Sequence, residues 1–339
     1  MSRKYRIGFF LFGLTVLVVM VLQLDLRQVW EGLRSAGYWF FVVLALWGFL
    51  YIFNNATWYI IIKEINKRDG INKKISFWWL YKVSVSAFAL NYATPGGLMG
   101  GEPYRIMELS PEIGTERASS SVMLYAMTHI FSCFCFWAIG VVLYVILMPL
   151  NVFMSLVLLS ISAFIALGFL FFIGGYRKGF AVKGMNILKH IPYVKRWARP
   201  FIERHKKQLD DIDSQVSTFH QKSKKAFIVA ILLEIICYIG TTFEVMFILW
   251  VIIPSINFFY CYFILAFTSL IANILFFLPL QLGGREGGFF LSMTGLGLTA
   301  SSAVFVALIV RIRELIWTGI GLLLINLNKK KKEKEISNS

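Results

Sequence analysis

Long apolar runs, cut by short polar breaks, fill most of this chain. Runs at about Tyr5–Leu24, Tyr38–Ile62, Ala118–Leu147, Val152–Ile173, Ala226–Ile253 and Ser302–Leu327 each approach or exceed the roughly 20 residues a helix needs to cross bilayer hydrocarbon. A near-neutral connector, Asp25–Gly37, separates the first two. Trp39, Trp58 and Tyr59 stand near the ends of the second, as interface anchors do. Two further apolar stretches, Ile75–Ala93 and residues 257–282, do not end in ordinary loops. Each runs into a glycine-rich segment.

The first segment reads Thr94-Pro95-Gly96-Gly97-Leu98-Met99-Gly100-Gly101-Glu102-Pro103-Tyr104-Arg105. The second reads Leu278-Pro279-Leu280-Gln281-Leu282-Gly283-Gly284-Arg285-Glu286-Gly287-Gly288-Phe289. In both, a proline is followed seven residues later by a glutamate, and four of the chain's five Gly-Gly pairs lie here. Proline and paired glycines break helices, and glutamate is costly in lipid. Such backbone survives at membrane depth only inside protein or against a wet cavity. We read the two segments as halves of one polar site.

Charge orients the spans. Residues 63–74 carry five Lys/Arg, residues 176–225 carry thirteen against four Asp/Glu, and another basic cluster follows Asn328. Placing these and the basic N-terminus on the cytoplasmic side forces residues 75–117 to enter and return to the inner face. Residues 257–300 then enter and return to the outer face. The expected fold is all-α: a polytopic membrane protein with an inverted 3+3 helix repeat and two re-entrant hairpins. Repeat one covers residues 1–149 and repeat two residues 150–328, followed by a basic tail, 329–339. Proteins of this plan bind substrate near the midplane, at broken helices. The expected location is the plasma (inner) membrane, multi-pass, with both termini cytoplasmic.

Composition agrees. Hydrophobic residues make up 58% of the 339 residues and charged ones 15%, against roughly 45–50% and 25% in soluble domains. The net charge of +16 suits anionic lipid headgroups at the loop 176–225, where Phe201, Ile202, Leu209, Ile212, Val216 and Phe219 recur at helical spacing. No nucleic-acid module accompanies it. Cys133, Cys135, Cys237 and Cys261 all lie in apolar runs without zinc spacing, so they read as packed small hydrophobes. Arg3, Lys4 and Arg6 precede an apolar run without a cleavage site, which reads as an uncleaved first helix.

The candidate chemistry is anion recognition. Gly96, Gly97, Gly100, Gly101, Gly283 and Gly284 can present backbone N–H groups to a phosphate, or can simply permit close helix packing. Arg105, Arg285 and Arg311 offer planar forks suited to phosphate. Glu102 and Glu286 would orient them, meet a cationic headgroup, or close internal ion pairs. Arg311 and Glu314 share a helix face, so a local pair is expected; Arg313 needs another partner. Glu234, Glu244 and His129 are candidates for ion or proton coupling, although a lone helix histidine also reads as a structural residue. No catalytic residues, metal ligands or cofactor are indicated. The motifs of phosphate-binding loops, zinc proteases and serine hydrolases are absent, which leaves a gradient as the energy source.

The two glycine segments, with Arg311 in the last helix, resemble the lysylphosphatidylglycerol synthase transmembrane-region family, the flippase-like domain of multiple peptide resistance factor proteins. The resemblance covers about residues 5–327. It implies a lipid-translocating membrane domain. In full-length synthases a separate soluble domain transfers lysine to phosphatidylglycerol. The sequence stops at Ser339 without it, so transport is expected rather than lysyl transfer. The first motif reads Thr-Pro-Gly-Gly where the resemblance would place a basic residue near the proline, which leaves the headgroup preference open. The other readings are an enzyme acting on a lipid headgroup and a partner of such an enzyme.

Overall fold

The computed structural model describes residues 26–71, 73–93, 100–178, 214, 223–275 and 283–337. Among these residues the chain forms α1 (Leu26–Ala36), α2 (Tyr38–Arg68), α3 (Phe77–Ala93), α4 (Gly101–Ile113), α5 (Thr115–Leu147), α6 (Val152–Lys178), α7 (Lys224–Trp250), α8 (Phe258–Ile274), α9 (Gly284–Gly295) and α10 (Ala300–Ser337). The first expected span, most of the loop 176–225, and Pro95 and Pro279 lie outside the described residues.

Among the described residues four helices, α2, α5, α6 and α7, are long and apolar enough to cross a membrane. The breaks between helices have local causes. Gly114 at φ +87° separates α4 from α5, a conformation that suits glycine. Asn151 caps α6 by accepting from the Met154 N–H at 2.7 Å, and Asn257 caps α8 by accepting from Tyr260 at 3.0 Å. Along α6, Val152, Phe153, Leu156, Leu159, Leu167 and Leu170 are exposed. An apolar surface of that extent suits lipid rather than water.

The segment Asp25–Gly37, expected as a connector, is helical over Leu26–Ala36 and packs on α10. Polar residues there hid the helix, because only one face of it is apolar. The two glycine-rich segments lead into helices, Gly101–Ile113 and Gly284–Gly295. The lengths run 31, 17, 13 and 33 residues for α2 to α5, and 27, 17, 12 and 38 for α7 to α10.

The residues divide into two compact units. One takes the described parts of 1–55, 76–105 and 236–339. Its centre is α10, which packs against α3, α9 and α1. The contact with α3 is close because Gly321 has no side chain. A Cβ there would lie 2.5 Å from the Val85 carbonyl oxygen and 2.6 Å from the Ala89 Cβ, and Ser86 donates to the Gly321 carbonyl at 3.1 Å. Backbone cannot step aside as a side chain can. Gly321→Val is therefore expected to push α10 off α3, at about 1–3 kcal/mol as for other overpacked sites, seen as a lower melting temperature in detergent. In the same unit α9 lies along α8. Thr268 and Ser292 are hydrogen-bonded at 2.8 Å, and a Cβ on Gly288 would lie 3.1 Å from the Thr268 backbone.

The other unit takes the described parts of 56–75 and 106–235. Trp58 is fully buried, donates to Ser121 at 3.3 Å and meets the Tyr125 ring. Phe131 and Phe134 of α5 pack on Phe169 and Phe172 of α6. Past the end of α2, Asp69 accepts from Arg117 at 2.8 Å and Arg68 at 3.0 Å. Burial acts to raise the Asp69 carboxyl, but the two guanidinium groups outweigh it and hold it below its ordinary 3.8. Lys73 and Glu112 add an ion pair at 3.0 Å. The basic segment 63–74 is thus tied to α4 and α5.

Candidate functional site

Helix α9 begins at Gly283, whose φ of +78° turns the chain sharply into the helix. Glu286, three residues on, reaches back and accepts from the Gly283 N–H at 3.0 Å. The first N–H groups of a helix have no carbonyl partner within it, and they carry partial positive charge. Arg285 and Glu286 therefore sit at a helix end that favours anions.

Both residues reach across to α10 in a reciprocal arrangement. Arg285 Nη1 pairs with Glu314 Oε1, and Arg311 Nη2 pairs with Glu286 Oε1. The local Arg311–Glu314 pair expected from their spacing is replaced by two interhelical pairs. The face that Arg311 and Glu314 share is the one turned to α9, so each finds a partner of opposite sign there. Arg313 has the distant partner it needed: Nε and Nη2 donate to the two carboxylate oxygens of Glu244 on α7, at 2.8 and 3.1 Å. Its Nη1 lies 3.6 Å from Glu314, and its guanidinium sits 3.9 Å from the centre of the Trp47 ring, a cation–π contact.

Three arginines and three glutamates thus form a charge-balanced layer, in which Arg285, Glu314, Arg313 and Glu244 make one chain of contacts and Arg311 and Glu286 a second pair. Side-chain exposure grades through it, from 38% at Glu286 and 32% at Arg285, through 11% at Arg311, to 2% at Arg313 and Glu244. The gradient separates two jobs. The inner Arg313–Glu244 pair is a sealed bidentate contact, and its bonding is internal. The outer Arg285, Glu286 and Arg311 can meet a ligand. A phosphate arriving there would take arginine hydrogen bonds that the glutamates now hold, and it would lie near the α9 N-terminus.

The first glycine segment is built differently. The Gly101 N–H donates to Asn91 Oδ1 at 2.7 Å, and Asn91 Nδ2 reaches Glu102 Oε2 at 3.5 Å. A Cβ on Gly101 would meet Asn91 at 2.6 Å and run into the Ala87 carbonyl. Close packing accounts for this glycine. Gly100 precedes it and is buried, as is Gly284 in the second segment. Arg105 is buried on α4, and so is Glu108 one turn later. Gly96 and Gly97 lie outside the described residues.

Among the coupling candidates, Glu244 belongs to the ionic layer, while His129 and Glu234 meet each other in the other unit, Nδ1 to Oε2 at 2.7 Å. Sequence reasoning missed two participants. Trp47 and Asn91 lie inside apolar runs and carry no local signal of a partner. Their roles depend on partners 266 and 10 residues away, which periodicity does not report.

In comparison with known proteins, residues 7–321 match the family described as Lysylphosphatidylglycerol synthase TM region. No curated protein and no solved structure matches the chain.

Proposed function

The chain belongs to the lysylphosphatidylglycerol synthase transmembrane-region family and is a multi-pass membrane protein; from that premise we propose that it moves a phospholipid or polyprenyl-linked lipid between the leaflets of the plasma membrane. The headgroup phosphate enters the outer part of the ionic layer, against Arg285, Arg311 and the first N–H groups of α9, while the acyl chains stay in the bilayer. Gly283 keeps the backbone accessible, and Glu286 holds Arg311 until a phosphate replaces it. Glu102, Arg105 and the glycines 96, 97, 100 and 101 supply the corresponding end of the first segment.

The observation that carries this reading is the reciprocal Arg285–Glu314 and Arg311–Glu286 pairing at the broken start of α9. Arg285 is partly open, Arg311 lies behind it nearly buried, and both are already hydrogen-bonded to carboxylates, an arrangement a phosphate can take over. The matching helix lengths in α2–α5 and α7–α10 support an inverted repeat over residues 1–149 and 150–328. At 17 residues, α3 and α8 are about 25 Å long, short of the roughly 30 Å hydrocarbon core. Paired with α4 and α9 they suit re-entrant hairpins, with both termini cytoplasmic.

Protein reconstituted into vesicles of phosphatidylcholine and phosphatidylglycerol should expose inner-leaflet fluorescent phosphatidylglycerol to an impermeant reductant faster than empty vesicles do. Equal rates, with and without a pH gradient, overturn the transport reading. The arrangement is tested separately. In a chain freed of its own cysteines, Lys67→Cys and Glu116→Cys should label from the cytoplasmic side, and Ser255→Cys and Ser301→Cys from the other. Labelling of all four from one side refutes the inverted plan.

A further inference from the structure

Three glutamates face arginines: Glu244 meets Arg313, Glu286 meets Arg311 and Glu314 meets Arg285. Arginine keeps its charge throughout the physiological pH range, so those pairs do not switch. Glu234 has a different partner. Its carboxylate lies 2.7 Å from the Nδ1 of His129, and imidazole is the side chain that gains and loses charge between about pH 5 and 8.

The two partners differ in access. The Glu234 side chain is 0% exposed and that of His129 is 48% exposed. The carboxylate is therefore cut off from solvation, while the ring can exchange a proton through its uncovered edge. A neutral imidazole beside a carboxylate leaves one net negative charge among apolar helices. One added proton, on either group, cancels that charge, and a second would leave a net positive charge. Nδ1 and Oε2 stand at hydrogen-bond distance, so one proton can lie between them.

Tyr125 stacks on the His129 ring at 6.4 Å, and α6 carries no ionisable residue from Val152 to Phe172. Apart from Glu234 itself and, ten residues further on, Glu244, which is paired with Arg313, the charges of α5 and α7 lie at their starts, at Glu116 and Arg117 and at Lys224 and Lys225. Those of α2 gather in its last two turns, from Lys63 onward. Glu234 lies ten residues beyond Lys224, and His129 twelve beyond Arg117, about 15 and 18 Å along the helix axes. That is close to half the roughly 30 Å hydrocarbon thickness.

We propose that His129 and Glu234 form a proton-binding site at mid-depth in the membrane, and that the proton held there couples a transmembrane pH gradient to lipid movement. The coupling rests on the transport reading above; the proton site does not.

The site is tested by nuclear magnetic resonance of the full chain in detergent, carrying nitrogen-15 histidine. The chain has four histidines, and the His129 signal is identified by its loss in His129→Gln. The ring is expected to pass between its charged and neutral forms as pH is varied, and Glu234→Gln should move that midpoint by about one unit or more, as loss of a charge within 4–6 Å does. A ring fixed in one form, or a midpoint indifferent to Glu234→Gln, overturns the site. The coupling is tested in vesicles of phosphatidylcholine and phosphatidylglycerol containing labelled phosphatidylglycerol, with the membrane potential clamped. The rate with an imposed pH gradient should exceed the rate without one several-fold, and this ratio should fall to about one in His129→Gln and in Glu234→Gln. The His129→Gln amide can still donate to Glu234, so a merely structural contact would survive it. A preserved ratio in both variants overturns the coupling. Absence of lipid movement in the unaltered protein under every gradient instead refutes transport, and the resonance titration still decides the proton site.

Discussion

Arg313→Ala is expected to destabilise the protein by about 3–5 kcal/mol, the range for breaking a buried ion pair from one side. The substitution removes two hydrogen bonds to Glu244 and leaves that carboxylate 2% exposed without its guanidinium. It also empties the space over Trp47, where a cation–π contact adds about 0.5–2 kcal/mol. Most of the effect is the stranded charge rather than the strength of the pair. Glu244→Gln combined with Arg313→Met should therefore be more stable than Arg313→Ala alone, since a buried pair is often replaced by apolar groups at little cost. Thermal unfolding of the unaltered protein, Arg313→Ala and the double variant in one detergent checks this. A melting curve for Arg313→Ala that coincides with the unaltered protein would show that the inner pair does not anchor α10.

Arg311→Gln is expected to slow labelled-lipid movement by roughly 10- to 100-fold, because a hydrogen bond to a charged group contributes about 1.5–3 kcal/mol. Arg311→Lys should fall between, since an ammonium lacks the planar fork. The same substitution also strips Glu286 of its partner, and instability could mimic a binding defect. The double variant Glu286→Gln with Arg311→Gln separates the two. It removes both charges together, so stability should recover relative to the single variant while lipid movement stays slow. Recovery of movement along with stability would make the Arg311–Glu286 pair a strut between α9 and α10 and not a phosphate ligand.

The membrane class and most helices were legible in residues alone. Tyr38–Arg68, Thr115–Leu147, Val152–Lys178, Lys224–Trp250 and Ala300–Ser337 contain five of the six predicted apolar runs, apart from the last residues of one near Ile253; the first run lies outside the described residues. The reason is that lipid demands an unbroken apolar stretch, and such a stretch is a local property. Leu26–Ala36 was not legible, because an amphipathic helix this short resembles a polar connector until a neighbour such as α10 covers its apolar face. The candidate site divides the same way. Glycine, proline and glutamate marked where the helices break. They did not say which charges meet.

Sequence by itself determined that the chain is apolar enough for a membrane, that two glycine-rich segments interrupt it, and that acids and arginines gather around the second. These follow from composition and spacing, which act over one or two helical turns. Tertiary structure decided the partners. Arg311 and Glu314 are close enough in sequence to pair with each other, yet α9 brings Glu286 and Arg285 between them. Glu244 finds Arg313 across 69 residues, and Glu234 finds His129 across 105. A buried charge takes whichever opposite charge the packing of helices delivers. That delivery depends on close approaches such as Gly321 on Val85, a contact between distant residues that no local pattern encodes.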